Sequence, residues 1–529
     1  RALVSEFYGK TELSRMRTVS ADTRCTTTNI APVRIELPYL AASSADLYEP
    51  YEGMMVEFIG LEGYVQGPTK RLRDGRAELA LVLAALQPYL PAGRVFQNHP
   101  ASAAALIHLS DAQGAPIPAA GWGDYLRIGQ RVDGVDVGVA VIDFNFDKYQ
   151  LVLMPSVPVY LEKHPIVEEQ GSAAAADEFT LCSLNLFALG RGKTQITDDV
   201  LYRAHLRQHA LVISERLHGC TVIGLQETGT PQDAEALAAE LREQFGLPYQ
   251  ATSLPGPQSQ DPDFPLTNSL LPRSDRVQVL NAAVPQACTE QDYAVPSPAG
   301  ECPAGFFALF DRTPLVADLV ITGSWGEPYP LRVIVNHWKS KAGDETINSV
   351  RRTNQATFVA MQVQEALNSN PATHVAVTGD LNDYFDSQPV QTLRGAVHPP
   401  LVHAFDLLPE LERYTYIFNG ASQVLDHVLV TPNMTPALAK VDIVHINVDF
   451  PYPTQVDFTQ VHHASDHEPV QLTFRPEGAA VVGGNLRYPG LRVTLFDEAQ
   501  QPLADTFTDA LGEFRFWRLT PDRVTLHIT

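Results

Sequence analysis

The chain has 529 residues, 61 acidic and 38 basic, and a net charge of −23 at neutral pH. An apolar share of 45%, with no apolar run long enough for a transmembrane helix, is the composition of a soluble multi-domain protein. The acidity leaves two readings open: a soluble surface with a local basic groove, or a substrate other than a long nucleic acid, because phosphate backbones are held largely by Lys and Arg.

The first residue is Arg1 rather than Met, which suits an upstream segment removed as a signal peptide. Residues 1–167 alternate β-like runs with Pro- and Gly-rich turns. YEGMMVEFIG, DYLRIGQRVDGVDVGVAVIDFN and YQLVLMPSVPVY predict strands, and helical periodicity is confined to Asp74–Leu90. The pattern predicts a small β-barrel. Lys70, Arg71, Arg73, Arg76, Arg94 and Phe96 are candidates for contacts to single strands, set against the plainer reading of a solvated charged face. EEQGSAAAADE, residues 168–178, has the composition of a linker.

From 179 to 475 helices and strands mix. Strands are predicted at 179–187, 221–227, 331–337, 374–380, 425–430 and 469–474. Helices are predicted over Thr197–Gly219, Asp233–Gly246 and Asn348–Asn370. Such a mixture requires an α/β fold with layered sheets and helices. Residues 476–529 return to short β runs and turns.

Within 179–475, polar residues recur at the edge or middle of apolar runs, where an unpaired polar group is costly. They are Asn185 in LCSLNLFAL, Gln226 and Glu227 in TVIGLQETGT, and Asn336, His337, Lys339 and Lys341 in LRVIVNHWKSK. Asp380, Asn382 and Asp383 follow in VAVTGDLNDY, Asp426 and His427 in RYTYIFNGASQVLDHVLV, and Asp466 and His467 in HHASDHEPVQLTF. Strand C-termini are where α/β enzymes place their chemistry. The recurrence predicts one site assembled from several strands, and its oxygen-rich donors suit a hard cation such as Mg²⁺, Mn²⁺ or Ca²⁺.

The order Asn, Gln-Glu, Asn-His, Gly-Asp-x-Asn, Asp-His and Ser-Asp-His resembles the endonuclease/exonuclease/phosphatase superfamily with its deoxyribonuclease I-like fold. NHWKSK, RYTYIFNGASQVLDHVLV, HHASDHEPV and FDRTPLVADL resemble its bacterial extracellular nuclease branch. The resemblance implies a four-layer α/β sandwich over 179–475. Before it, residues 1–167 resemble an oligonucleotide-binding (OB)-like β-barrel, and after it residues 476–529 resemble a carboxypeptidase-regulatory-like β-sandwich with a folding or surface-attachment role. The implied enzyme is a secreted or cell-surface phosphodiester hydrolase, cutting DNA and in some cases RNA by in-line attack of water.

The implied roles are as follows. Glu227 and Asp466 hold the metal, Mg²⁺ by preference. Asn185 orients Glu227 or contacts phosphate, and Asp380 and Asn382 orient or deprotonate the attacking water. His467, paired with Asp426, is base or phosphate stabiliser, and His337 is the general acid, needing a pKa near the working pH. Arg312, Lys339 and Arg273 supply positive charge, although Pro272 stands before Arg273 where the family has an aromatic. Asp383 reads as a turn residue, and His205, His209, His218 and His462 as incidental. Rival readings are a phospholipid phosphodiesterase with an apolar rim from Phe450, Tyr452 and Phe458, a phosphomonoesterase, and a non-catalytic surface protein.

Five cysteines form no zinc pattern. Cys288 and Cys302 bracket a polar loop and suit a disulfide in an oxidising compartment; Cys182 and Cys220 are either buried thiols or a pair.

Overall fold

The computed structural model describes residues 3–7, 10–14, 31–40, 42–72, 75–111, 117–189, 198–295, 302–453, 457–519 and 524–528. Cys25, Arg73, Asp74 and Thr197 lie outside them. The chain forms two compact units, one of Arg1–Val167 with Ile417–Ser422 and Asp449–Thr454, the other of the remainder.

In the first unit one sheet follows the pairing path Val159–Glu162, Tyr125–Ile128, Leu61–Val65, Ala77–Leu83, Ile107–Ser110, Lys148–Leu153, Val135–Asn145, Met55–Ile59, Val33–Arg34. Alternation along Met55–Ile59 and Leu61–Val65 sends Val56, Phe58, Leu61 and Val65 into its core. The helical expectation over Asp74–Leu90 is wrong: Ala77–Leu83 is a strand. Six of its seven residues are buried, and a strand buried on both faces loses the period of two by which sequence reveals it. Arg94 and Phe96 do not offer themselves to a ligand, being 4% exposed each. Arg94 forks onto Asp449 at 2.9 and 2.7 Å and lies 4.1 Å over the Trp122 ring.

The second unit is built from β1 (Phe179–Asn185), α1 (Asp199–Leu211), β2 (Val222–Gln226), α2 (Pro231–Phe245), β3 (Ser269–Pro272), β4 (Val277–Ala283), β5 (Leu315–Ile321), β6 (Tyr329–His337), α3 (Glu345–Ser369), β7 (Val375–Asp380), β8 (Asp426–Val430), β9 (Leu438–Ile443) and β10 (Val470–Phe474). Caps set the helices. Asp198 accepts from the N–H groups of Val200 and Leu201, Thr230 and Asp233 form a reciprocal capping box, and Asp344 accepts from Thr346.

One six-stranded sheet runs Thr252–Ser253, β3, β2, β1, β10, β9; the other runs β4, β5, β6, β7, β8, Val402–His403. β1 and β2 are parallel, as are β6 and β7, so their C-termini emerge together. Phe179, Leu181, Val222 and Leu270 of the first sheet share a core with Leu315, Val333, Val335 and Val428 of the second. A separate apolar cluster joins the first sheet to α1 and α2, and another joins the second sheet to α3. The order of layers is helices, sheet, sheet, helices.

Residues 168–178 form no helix or strand and lie against this unit. The Gly171 N–H donates to the Arg216 carbonyl and Ser172 Oγ to Asp442, while the buried Glu178 carboxylate meets Arg475 at 3.0 Å. The last residues pair as Ala480–Asn485 with Glu513–Leu519, and Arg492–Phe496 with Pro502–Phe507 and Thr525–Ile528, around Val493, Leu495, Phe514 and Phe516. They belong to the same compact unit; Arg515 Nε donates to the Leu407 carbonyl at 2.6 Å. Among the described residues no helix is long and apolar enough to cross a membrane.

Disulfides join Cys288 to Cys302 and Cys182 to Cys220, which settles the second pair as bonded.

The two sheets pack tightly at Gly224 of β2, where an added Cβ would stand 3.1 Å from both Thr378 Cγ2 and Val335 Cγ2. Gly224→Val should therefore overpack the inter-sheet core and cost about 1–3 kcal/mol, read as a lower urea midpoint with an unchanged slope.

Candidate active site

Register assembles the site. His337 ends β6 opposite Asp380, which ends β7, and Asp380 stands opposite Asp426, which begins β8. Three functional side chains thus lie in one row across three neighbouring strands. In the facing sheet Asn185 ends β1 opposite Gln226, and Glu227 follows one residue on. Gly379 makes the row possible: its φ is +132°, and a Cβ there would lie 2.0 Å from the Asn336 carbonyl oxygen. Glu227 and Asn382 have φ of 57° and 52°, a left-handed conformation that is uncommon outside glycine and concentrates at functional sites.

The contacts are short and mutual. Asn185 Nδ2 donates to Asp380 Oδ2 at 3.3 Å, while its Oδ1 accepts from the Phe187 N–H. His337 Nε2 lies 3.5 Å from Asp380 Oδ2 and 3.8 Å from Glu227 Oε1. His467 Nδ1 is 2.7 Å from Asp426 Oδ2, and its Nε2 is 3.9 Å from Asp380 Oδ2. Asp380 Oδ1 accepts the Asn382 N–H at 2.8 Å, and Asn382 Nδ2 donates to the Trp338 carbonyl at 3.2 Å. Asp380, Asp426 and His467 together offer ligand atoms within 4.8 Å of one another.

Arg312 reaches this cluster from the loop before β5. Its guanidinium donates to Gln258 Oε1 at 3.0 Å and to the carbonyls of His337 and Trp338. Its charge acts on both Glu227 and Asp380. Lys339 is held by Ser340 Oγ and the Ala342 carbonyl and adds to the positive field felt by His337. Asp466 is half-buried and presses its negative charge on Glu227.

Arg273 does not belong to the site. It follows Pro272, which pairs with Val222 at the start of β2, whereas Glu227 lies past the far end of that strand. Its guanidinium is bound by Asp275 at 2.6 Å. Asp383 is structural too, locked by Arg352 at 2.8 Å and approached by Lys341 at 3.4 Å. His427 points away from Asp426, as strand alternation requires, and meets His403.

Sequence reasoning passed over Gln258, which orients Arg312, and Tyr416, whose ring centre lies 4.7 Å from that of His467. It also passed over Glu468, whose carboxylate accepts the N–H groups of Ile446, Asn447 and Val448 and so braces the loop carrying His467. Glu468 was the legible one of these, being an acidic residue directly before an apolar strand and next to His467.

Protonation follows burial and charge. Burial raises the Glu227 carboxyl, and Asp466 raises it further, against His467, Arg312 and a hydrogen bond from Asn185. Burial also drives Asp380 up to about 7, aided by Asp426 and Glu227 and opposed by His467 and the Asn382 N–H. For His467 burial would lower the pKa, but Asp426 and then Asp380 overcome it and hold the ring well above its ordinary value. His337 goes the other way: burial, then Arg312, His467 and Lys339, hold it well below, so the expectation of a pKa near working pH fails for the free site. Its Nδ1 is buried with no hydrogen-bond partner.

The donor set fits a hard divalent cation. Glu227 and Asp466 are two acids at one spot with an amide beside them, an arrangement that is repulsive alone and relieved by a cation.

Residues 315–441 match the family model described as endonuclease/exonuclease/phosphatase family, a span that contains His337, Asp380, Asn382 and Asp426. No curated protein matches the chain significantly. Among solved structures the chain resembles D. rerio TDP2 humanised by 14 mutations, at 18% identity over 56% of this chain and 99% of that one, TM-score 0.36. It also resembles an endonuclease/exonuclease/phosphatase from Bacteroides vulgatus, at 14% over 56% and 98%, TM-score 0.39, and the human Nocturnin catalytic domain with bound sulfate, at 15% over 57% and 96%, TM-score 0.37.

Asp380 gives a pH test of the site. Its folded pKa is raised, so its contribution to stability is fully present below the unfolded carboxylate pKa of about 4 and is lost as pH rises. The loss is complete above its folded value of about 7. In EDTA, Asp380→Asn should melt higher than wild type at about pH 8, with the gap shrinking toward about pH 4, by differential scanning fluorimetry. Equal melting temperatures throughout would show that Asp380 is not buried as a charge.

Proposed function

We propose that the protein is a divalent-metal-dependent phosphodiesterase of the endonuclease/exonuclease/phosphatase type, an extracellular endonuclease acting on DNA and in some cases RNA. The observation that carries this is the row His337–Asp380–Asp426 with His467, facing Glu227 and Asn185 across the two sheets.

Phosphodiester hydrolysis needs an oriented water, neutralisation of phosphate charge and protonation of a leaving oxygen. Asp380, with its carboxyl raised into the neutral range, is suited to accept the proton of an attacking water, and Asn382 and Asn185 to orient its neighbours. His467, kept cationic by Asp426, is a phosphate stabiliser rather than a base. His337 is neutral in the free site; bound phosphate would draw its pKa up and let it deliver a proton to the leaving oxygen. Arg312 and Lys339 add the positive charge that an acidic chain must concentrate locally. Glu227 and Asp466 would hold Mg²⁺, or Mn²⁺ or Ca²⁺ in its place, which supplies Lewis-acid neutralisation of the phosphate.

Secretion or cell-surface exposure is supported by the two disulfides, which persist in oxidising compartments. The first unit, with its continuous sheet, is read as an OB-like domain that recruits nucleic acid, and the terminal β strands as a β-sandwich for cell-envelope association. The apolar-rim rival loses one member, because Phe450 is buried.

Supercoiled plasmid with Mg²⁺ tests the reading. Nicking should occur, stop in EDTA, fall about 10²–10⁴-fold in Asp380→Ala, and persist in Arg273→Ala. A folded sample that leaves plasmid intact with Mg²⁺, Mn²⁺ and Ca²⁺ would refute the nuclease, and turnover of a phospholipid or phosphomonoester instead would move the activity to those substrates.

A further inference from the structure

His205 and His209 stand one turn apart on α1, both buried, with ring centres 4.5 Å apart. His209 Nε2 lies 3.0 Å from the Leu186 carbonyl oxygen, and His205 Nε2 lies 2.9 Å from that of Ala464. Those carbonyls belong to two different site loops. Leu186 follows Asn185 directly, and its own N–H donates to the Gln226 carbonyl at 3.0 Å, beside Glu227. Ala464 precedes Asp466 and His467 by two and three residues, and its N–H donates to Asn447 Oδ1 at 3.0 Å. The surroundings are apolar: Leu184, Leu186, Leu206, Ala210, Ile446 and Ala464 share one cluster.

A carbonyl buried there without a donor would be unsatisfied. An imidazole reaches it only as a donor, so each ring carries its proton on Nε2. The buried, partnerless Nδ1 atoms agree, since a bare nitrogen without a partner costs less than a stranded N–H. A second proton on either ring would sit on its buried, partnerless Nδ1 and would set a cation against a neighbouring ring whose Nε2 is only 2.9 Å away. Burial supports this, lowering His205 to about 4 and holding His209 well below its ordinary value.

We infer that His205 and His209 are positioning residues that act as a two-donor clamp, fixing the Asn185 loop and the Asp466–His467 loop to one helix face and so setting the separation of the groups that face substrate and metal. This rests on the proposed phosphodiesterase site. A shift of about 1 Å in such groups costs about a hundredfold in rate.

The test is His209→Ala and His205→Ala beside His209→Gln and His205→Gln, assayed on bis(p-nitrophenyl) phosphate with Mg²⁺. The alanine variants should keep KM near wild type and lose about ten- to a hundredfold in kcat. The glutamine variants, whose carboxamide still donates, should recover most of it. Alanine variants with wild-type kcat, or glutamine variants no better than alanine, overturn the clamp. A second measurement stands apart from activity: ¹⁵N NMR of wild type at neutral pH should show both rings neutral and protonated on Nε2. Protonation on Nδ1, or a charged ring, also overturns it. If wild type hydrolyses no phosphoester, the functional reading fails, while the NMR result still decides the clamp.

Discussion

Buried like charge is the constraint on which the site depends. Glu227, Asp380, Asp426 and Asp466 crowd the mouth of two packed sheets, Asp380 and Asp426 buried and the other two half-buried, where water shields them poorly. The protein answers with His467 charged against Asp426, with Arg312 anchored by Gln258, and with a carboxyl, Asp380, that yields its charge readily. His337 must then stay neutral, since a further buried cation beside Arg312 and His467 would repel both. The protonation states form one solution to one electrostatic problem, and a divalent cation or a phosphate group would each shift it.

The backbone makes that crowding geometrically exact enough to be useful. Neighbouring strands whose registers align His337, Asp380 and Asp426 need no loop to bring them together, so the row is as rigid as the sheet. The left-handed conformations sit just past strand ends, at Glu227 after β2 and at Asn382 after β7. Packing of the outer helices supports both sheets from behind, and the buried ion pair of Arg352 with Asp383 fixes the turn that follows Asp380.

Much of this was legible in the sequence, for a definite reason. The strands of the second unit are short apolar runs interrupted by polar residues at their ends, and those interruptions are the site: Asn185, Glu227, His337, Asp380 and Asp426 are visible because each violates its run. What was illegible depends on partners distant in sequence. Ala77–Leu83 passed for helix because both its faces are covered. Arg273 passed for a site residue because sequence does not show which end of β2 it adjoins. His205 and His209 passed for incidental because their partners are backbone carbonyls, which leave no trace in composition.

The Cys182–Cys220 bond spans 38 positions and closes a covalent ring around α1, from the strand that ends in Asn185 to the strand that leads to Glu227. Any cut of the backbone inside that ring leaves a single molecule with two new ends, not two fragments. Under non-reducing conditions such a nicked chain would still migrate as one species until a reductant opened the bond.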